Sequence, residues 1–121
     1  MQKGIPPVLI SQDELKQIII NLIKNAIQAI EKSGEIIVKA EYAKGSYVNI
    51  YVIDNGIGMK DEIIQYIFDP FYTTKNNHEG TGLGLSVVYG IINKYKGSIK
   101  VKSKEGKGTT FKISLPILII N

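Results

Sequence analysis

The sequence predicts an α+β fold, a two-layer sandwich in which one mixed, mainly antiparallel sheet carries helices on a single face. Strand-like segments meet in pairs at tight turns, which is typical of antiparallel neighbours, and the helical segments lie between those pairs. Apolar and polar residues alternate strictly within the strands, so only one sheet face is expected to be buried. With 121 residues, the chain has the size of one domain, and we expect residues 1–121 to form it.

The composition excludes several classes of site. The chain has no cysteine and one histidine, which excludes a disulfide framework, a thiolate zinc site and a multi-histidine metal cage. All 15 basic residues are lysines, and the net charge is +4. Lys100, Lys102 and Lys104 alternate along a strand without interleaved aromatic residues, so we expect no nucleic-acid binding. No apolar run approaches the ~20 residues of a membrane span, and we expect a cytoplasmic domain without direct membrane contact.

The first helix is predicted to begin at a capping box, in which Ser11 caps the helix and Glu14 reaches back to the cap amide. Apolar residues at helical spacing continue to about Lys32. Gly34 is expected to end the helix, because glycine readily adopts the left-handed conformation of a helix stop. A short strand over residues 8–10 is expected before this helix.

The remaining elements follow from alternation and turn signals. Two strands are predicted over residues 36–42 and 47–54, joined by a turn at 44–46, and a closing hairpin is predicted over 98–103 and 109–115. A short helix near residues 60–67 and a long one over 83–95, stopped by Gly97, lie between the strand pairs. Residues 72–80 lack periodicity and are interpreted as a mobile loop.

Asn21 and Asn25 lie four residues apart on the first helix and therefore share a face. A polar solvent face is the simpler interpretation of such a pair. Asparagine is, however, a poor choice for a helix interior. Its carboxamide oxygen could ligate a hard cation such as Mg²⁺.

Asp54 has the same alternation parity as the apolar residues of its strand, so its carboxylate should point towards the core layer. A buried carboxylate needs a donor, and an amine on a bound heterocycle could be that donor. Gly56 and Gly58 follow it, and without side chains they would let a flat ring approach the backbone. The competing interpretation, an Asn-Gly hairpin, lacks a return strand.

A glycine-rich segment, Gly80-Thr81-Gly82-Leu83-Gly84, opens the second long helix. Free amides at a helix N-terminus suit phosphate, although such a segment alone is often only a loop. The spacing matches neither the dinucleotide fingerprint nor a P-loop. Lys75, in the preceding loop, is the natural cation for a terminal phosphate. The two phenylalanines of the segment 68–71 are expected to anchor the base of this loop in the core.

These segments together resemble the sensor histidine kinase catalytic and ATP-binding domain, in the wider group of gyrase, heat-shock chaperone and mismatch-repair ATPases. Residues 21–26 resemble the N box, 54–58 the G1 box, 68–71 the F box and 80–85 the G2 box, and 108–111 match the closing strand. The resemblance covers residues 5–116 and implies the Bergerat-type ATP-binding fold. It also implies a single catalytic domain, with the dimerisation, phosphoacceptor and sensor domains absent from this chain.

The resemblance implies ATP and Mg²⁺ as ligands and a role for each box. Asp54 would accept a hydrogen bond from the adenine amine, and Thr109, which shares the parity of Phe111, would face inward and share a water with it. Asn25 would hold Mg²⁺ on the phosphates, assisted by Asn21, and Lys75 would touch the terminal phosphate. The residues expected to line the triphosphate are Gly80, Thr81, Gly82, Leu83 and Gly84.

The resemblance implies a protein-histidine kinase that passes the γ-phosphoryl to a histidine on a separate dimerisation domain, and onward to a response regulator. Where hydrolytic relatives place a glutamate that activates water, this chain has Asn21, so no general base is expected there. His78, the only histidine, is not expected to be the phosphoacceptor, and the isolated chain should not phosphorylate itself. Two alternatives stay open: a nucleotide-gated binding module without transfer, and an anti-sigma-type serine kinase, against which the segment 68–71 counts.

Overall fold

A computed structural model describes residues 10–43, 47–69 and 84–116. Its elements in chain order are α1 (Gln12–Ala29), β1 (Ile36–Ala43), β2 (Tyr47–Asp54), α2 (Asp61–Ile64), α3 (Gly84–Lys94), β3 (Ser98–Lys104) and β4 (Gly108–Pro116). The four strands form one sheet in the order β1-β2-β4-β3. All three pairings are antiparallel, so the parallel component expected of a mixed sheet is not found among the described residues.

The core lies between one face of the sheet and the helices, as the alternation predicts. The central strands supply every second side chain to it, namely Val48, Ile50, Val52, Phe111, Ile113 and Leu115. The helices supply Ile18, Leu22, Val88 and Ile92, each of them fully buried. The predicted two-layer α+β architecture is therefore confirmed. Within the described ranges, none of the helices has the length and apolarity that a bilayer crossing requires.

Helix α1 starts where the capping signal predicts and ends earlier than expected. The Ser11 hydroxyl oxygen accepts a hydrogen bond from the Glu14 backbone N–H at 3.2 Å and donates to the Glu14 carboxylate at 2.9 Å, instead of Glu14 reaching the cap amide. The chain leaves the helix at Ile30, whose backbone is extended. The expected stop at Gly34 is wrong, because Gly34 is not among the left-handed residues and instead packs against the Asn55 side chain.

Helix α3 ends in a Schellman motif built on a different residue from the one expected. Lys96 adopts the left-handed conformation with φ 59°, and the Gly97 N–H donates to the Ile92 carbonyl at 2.9 Å. Gly97 is needed for a separate reason, since a Cβ atom there would lie 2.5 Å from the Ser114 carbonyl oxygen. The glycine therefore permits a close approach to β4, and the lysine supplies the helix stop.

The edge strand β1 keeps the predicted alternation but not the predicted burial. On its helix-side face Ala40 is buried, while Val38 and Tyr42 are 44% and 50% exposed. Helix α1 packs mainly on β2 and α3 and covers β1 only in part. Of the other predictions, the strand over 8–10 mostly, and the turn at 44–46 and the loop over 72–80 entirely, lie outside the described residues.

Candidate active site

Three polar side chains form a row across one end of the sheet, on the face that carries the helices. Asp54 of β2 lies opposite Thr109 of β4, which in turn lies opposite Ser103 of β3. Asp54 and Thr109 are buried, with 7% and 6% of their surfaces exposed. The alternation predicted the inward orientation of Asp54 and Thr109. It did not single out Ser103, although Ser103 shares its parity with Ile99 and Val101.

The Asp54 carboxylate is held by backbone donors. Its Oδ1 atom accepts a hydrogen bond from the Gly56 N–H at 2.8 Å. Burial raises the pKa of the Asp54 carboxyl above its usual value, while the Gly56 and Thr109 backbone N–H groups act in the opposite direction. An ionised carboxylate has more acceptor sites than these bonds use, so Asp54 retains acceptor capacity for a ligand.

The loop after β2 is tied to both layers. The Ile57 N–H donates to the Ala29 carbonyl at the end of α1 at 2.9 Å, and the Ile57 carbonyl accepts from the Gly106 N–H at 2.7 Å. The Met59 N–H donates to the Ser103 hydroxyl at 2.8 Å. This loop is therefore fixed in place by bonds to α1, to β3 and to the β3–β4 turn.

The two glycines of this loop are explained by packing against the protein itself. A Cβ atom on Gly56 would lie 2.5 Å from the Ala29 carbonyl oxygen. Gly58 has φ +69°, and a Cβ there would lie 2.0 Å from the Lys104 carbonyl oxygen. The packing is thus a structural reason for glycine at both positions, independent of the expectation that a flat ring approaches the backbone there. Contact of a nucleotide with Gly56 or Gly58 stays a prediction.

The second part of the candidate site lies between α1 and α3. Asn21 and Asn25 are half-buried on one side of α1, and Asn21 Nδ2 donates to the Gly84 carbonyl at 3.4 Å. Among the described residues, no atom lies within 4 Å of the position that a Cβ atom on Gly84 would take. Eight residues of α1, about 12 Å of helix axis, separate Asn21 from Ala29 at the Asp54 end.

Part of the predicted site lies outside the described residues, namely Lys75, Gly80, Thr81, Gly82 and Leu83, and so does Phe71. Phe68 is described, is partly buried against the core and stacks on Tyr89 of α3, with ring centroids 5.4 Å apart. The predicted anchoring of the loop base is therefore confirmed for Phe68.

The described residues fit a magnesium ion only if substrate phosphates and water supply most of the oxygen atoms that coordinate it. Within the described ranges, no group of three histidine, aspartate or glutamate side chains could hold a metal ion. Mg²⁺ usually keeps several waters and binds one or two protein oxygens together with substrate phosphates. The carboxamide oxygen of Asn25 has the chemistry of such a single ligand.

A groove of about 450 Å³ lies at the same end of the sheet, largely on the opposite face. Its lining includes Ile37, Ile53 and Lys102 together with Asp54 and Thr109, but no residue of α1 or α3. It therefore lacks both asparagines and is not the site that the boxes predict.

A family model described as the histidine kinase-, DNA gyrase B- and HSP90-like ATPase matches residues 10–119. This chain belongs to that family. The resemblance deduced from the sequence is thereby confirmed, and membership of this ATPase family implies that the domain binds ATP.

The most similar relatives include sensor kinases. The chain is 45% identical over 113 residues to sporulation kinase E of Bacillus subtilis, covering 93% of this chain and 15% of that protein. It is 45% identical over 115 residues to the sensor histidine kinase ZraS of Escherichia coli K12, covering 95% of this chain and 24% of the relative. The chain thus spans a quarter or less of the length of these relatives.

Solved structures agree with the family assignment. The nucleotide-free catalytic domain of histidine kinase ThkA superposes with a TM-score of 0.77 at 35% identity, covering 89% of this chain and 70% of that one. Full-length ShkA in complex with AMPPNP gives a TM-score of 0.82 at 27% identity, covering 96% of this chain and 24% of that one.

Proposed function

We propose that this chain is the catalytic domain of a two-component sensor histidine kinase. It binds ATP with Mg²⁺ and donates the γ-phosphoryl to a histidine on a dimerisation domain, for relay to a response regulator. The observation that carries this proposal is the buried Asp54–Thr109 pair at one end of α1, with Asn21 beside the N-terminus of α3 about 12 Å further along the helix.

Asp54 recognises the adenine base through a hydrogen bond. Its carboxylate accepts from the exocyclic amine of adenine, whereas a keto oxygen at the same ring position would face a second acceptor and be repelled. A buried site built to hydrogen-bond one group rejects the analogue that leaves its polar atoms unpaired. We therefore expect adenine nucleotides to bind more tightly than guanine nucleotides.

The other end holds the phosphates. The N-terminus of α3, reached through Gly80, Thr81, Gly82, Leu83 and Gly84, presents backbone amides and the positive end of the helix dipole to the triphosphate. Asn25 ligates Mg²⁺ with Asn21 nearby, and Lys75 touches the terminal phosphate. Bound Mg²⁺ neutralises charge on the phosphate oxygens.

Transfer requires an external acceptor. An imidazole nitrogen forms the bond to the γ-phosphorus while the bond to the bridging oxygen breaks, leaving ADP. The carboxamide of Asn21 cannot take a proton from water, so it cannot act as the general base for hydrolysis. Catalysis then consists of positioning the reacting groups and stabilising the transition state electrostatically. The domain carries out this transfer to its partner domain in the cytoplasm.

The proposal is tested by measuring phosphoryl transfer from ATP to a dimerisation domain added as a separate chain. The chain is mixed with the dimerisation domain of a related sensor kinase and ATP labelled at the γ-position, and we expect acid-labile, base-stable label on the added domain only. A His78→Ala variant should transfer equally well. Nucleotide binding without any label would favour the nucleotide-gated binding module, and acid-stable label would favour a serine kinase; either result overturns the proposal.

A further inference from the structure

Ser103, which the sequence did not single out, makes three hydrogen bonds beside the Asp54–Thr109 pair. Its hydroxyl lies 2.8 Å from the Met59 backbone nitrogen, 3.0 Å from the Gly108 carbonyl oxygen and 2.8 Å from the Thr109 hydroxyl. A serine hydroxyl has one proton to donate and two lone pairs that accept. These three contacts therefore use its full hydrogen-bonding capacity.

Counting the protons fixes the direction of each bond. Met59 N–H is necessarily a donor and the Gly108 carbonyl is necessarily an acceptor, so the single Ser103 proton goes to Gly108. The bond between Ser103 and Thr109 is then made with the proton of Thr109.

The consequence concerns the Thr109 oxygen. Because its proton is directed to Ser103, the Thr109 hydroxyl has only lone pairs left for any further partner. Asp54, when ionised, also only accepts. The two N–H groups of an exocyclic amine can each meet one of these two acceptors, whereas a keto oxygen in the same place would face acceptors only.

We propose that Ser103 is a specificity-determining positioning residue, which holds the Thr109 hydroxyl as an acceptor and thereby excludes 6-keto purines. This inference rests on the proposed function, since it concerns the same nucleotide site. Without the Ser103 hydroxyl, the Thr109 proton is free to turn towards the ligand. Thr109 then donates to a keto oxygen while Asp54 accepts from the neighbouring ring N–H of that purine.

The experiment compares ADP with inosine diphosphate, which replaces the amine by a keto oxygen and carries a proton on the neighbouring ring nitrogen. Dissociation constants are measured by calorimetry for the parent and for Ser103→Ala. We expect the preference for ADP over inosine diphosphate to fall about tenfold in the variant. If the loop at Met59 loosens, the affinities for both nucleotides fall by the same factor, and this factor cancels in the ratio of the two dissociation constants.

Two matched variants separate this role from a merely structural one. Ser103→Thr keeps a hydroxyl and should retain the parental preference. In a Thr109→Val background the hydroxyl being directed is gone, so adding Ser103→Ala should leave the preference unchanged, as a double-mutant cycle requires for coupled residues.

The outcomes are distinct. An unchanged preference in Ser103→Ala, or an equal loss in the Thr109→Val background, overturns the role of Ser103 while leaving the proposed function intact. A parent that binds neither nucleotide overturns both.

Discussion

The two ends of the candidate site are held in different ways. The end that we propose contacts the base, here called the base-reading end, consists of Asp54, Thr109 and Ser103, which the strand register places side by side. Hydrogen bonds of 2.8 Å connect these residues to each other or to the following loop. The end that we propose holds the phosphates, here called the phosphate end, lies where α1 meets the start of α3. Among the described residues of that end, Asn21 of α1 donates to the Gly84 carbonyl of α3 at 3.4 Å, which is longer than the bonds of the first end.

Selectivity and positioning should therefore depend on different ends of the site. Fixed, buried acceptors discriminate strongly because a mismatched base leaves them unpaired. The longer bond at the other end fixes the Asn21 side chain less tightly, so that side chain can follow the phosphates as the reacting atoms move. Substitutions at the base-reading end should therefore change the stability of the fold and the nucleotide preference. Substitutions at the phosphate end should change the rate of phosphoryl transfer after the nucleotide has bound.

The largest effect is expected from Gly58→Ala, which tests how rigidly the base-reading end is held. The added Cβ would lie 2.0 Å from the Lys104 carbonyl oxygen, at a φ of +69°. Because the overlap is with backbone, the loop must move, and we expect a loss of about 3 kcal/mol or more in the free energy of unfolding. Urea denaturation measures it.

Gly106→Ala is the matched control. Gly106 also has a positive φ, +81°, but a Cβ there would meet nothing within 4 Å. Only the left-handed backbone then contributes, at about 1–2 kcal/mol. If Gly58→Ala and Gly106→Ala cost the same, the close approach to Lys104 is not what holds the loop.

Asp54→Asn should remove base recognition without unfolding the domain. The amide oxygen keeps the bond from the Gly56 N–H, which leaves the amide NH₂ group facing the adenine amine, donor against donor. Losing a hydrogen bond to a charged group is worth about 1.5–3 kcal/mol, so we expect ADP affinity to fall by roughly one to two orders of magnitude in calorimetry. A variant that binds ADP within threefold of the parent would contradict the assigned role.

Asp54→Asn should weaken ADP binding, but it should make the nucleotide-free protein more stable relative to the parent as pH rises. Burial raises the folded-state pKa of Asp54 above its ordinary value of 3.8, so the folded protein retains a proton that the unfolded chain has already released. The parent therefore loses stability from this group as pH rises from about 3.8 through the raised pKa. Relative to Asp54→Asn, the parent should become less stable over that interval, and a relative gain would show that the carboxylate is not disfavoured by burial.

The sequence predicted the base-reading pair because strand alternation has a period of two. Val52 and Phe111 are buried, so Asp54 and Thr109, two residues from each, had to face the same way. It could not predict Ser103, because one of its partners, Met59, is 44 residues away and no local pattern pairs them. Strand alternation predicts which sheet face the Ser103 side chain lies on, but its hydrogen-bond partners are known only from the three-dimensional structure.

The wrong predictions have the same origin. A helix reaching Lys32 satisfied local propensity, but the chain leaves α1 at Ile30. At that point the Ala29 carbonyl accepts from the Ile57 N–H, a partner that only the tertiary structure supplies. Gly34 resembled a helix stop, yet its missing side chain accommodates Asn55, whose Oδ1 accepts from the Glu35 N–H at 2.8 Å.

The smallest effect on binding is expected at the phosphate end, from Asn21→Ala. A neutral hydrogen bond contributes about 0.5–1.5 kcal/mol at ordinary length, and the bond to Gly84 is long at 3.4 Å. Alanine is also the better helix former. We therefore expect ADP affinity to change less than about threefold and thermal stability to hold. The rate of transfer to an added dimerisation domain should fall about tenfold, because misplaced reacting groups lose rate more than affinity.

Lys24→Ala, an exposed position on the same helix, is the matched control and should alter neither quantity. If Asn21→Ala weakened ADP binding as strongly as Asp54→Asn, the phosphate end would be as firmly organised as the sheet-borne end. Equal losses in affinity and transfer rate would lead to the same conclusion, because an interaction that acts only on positioning leaves ground-state binding intact. The comparison between the two ends therefore depends on this separation of rate from affinity.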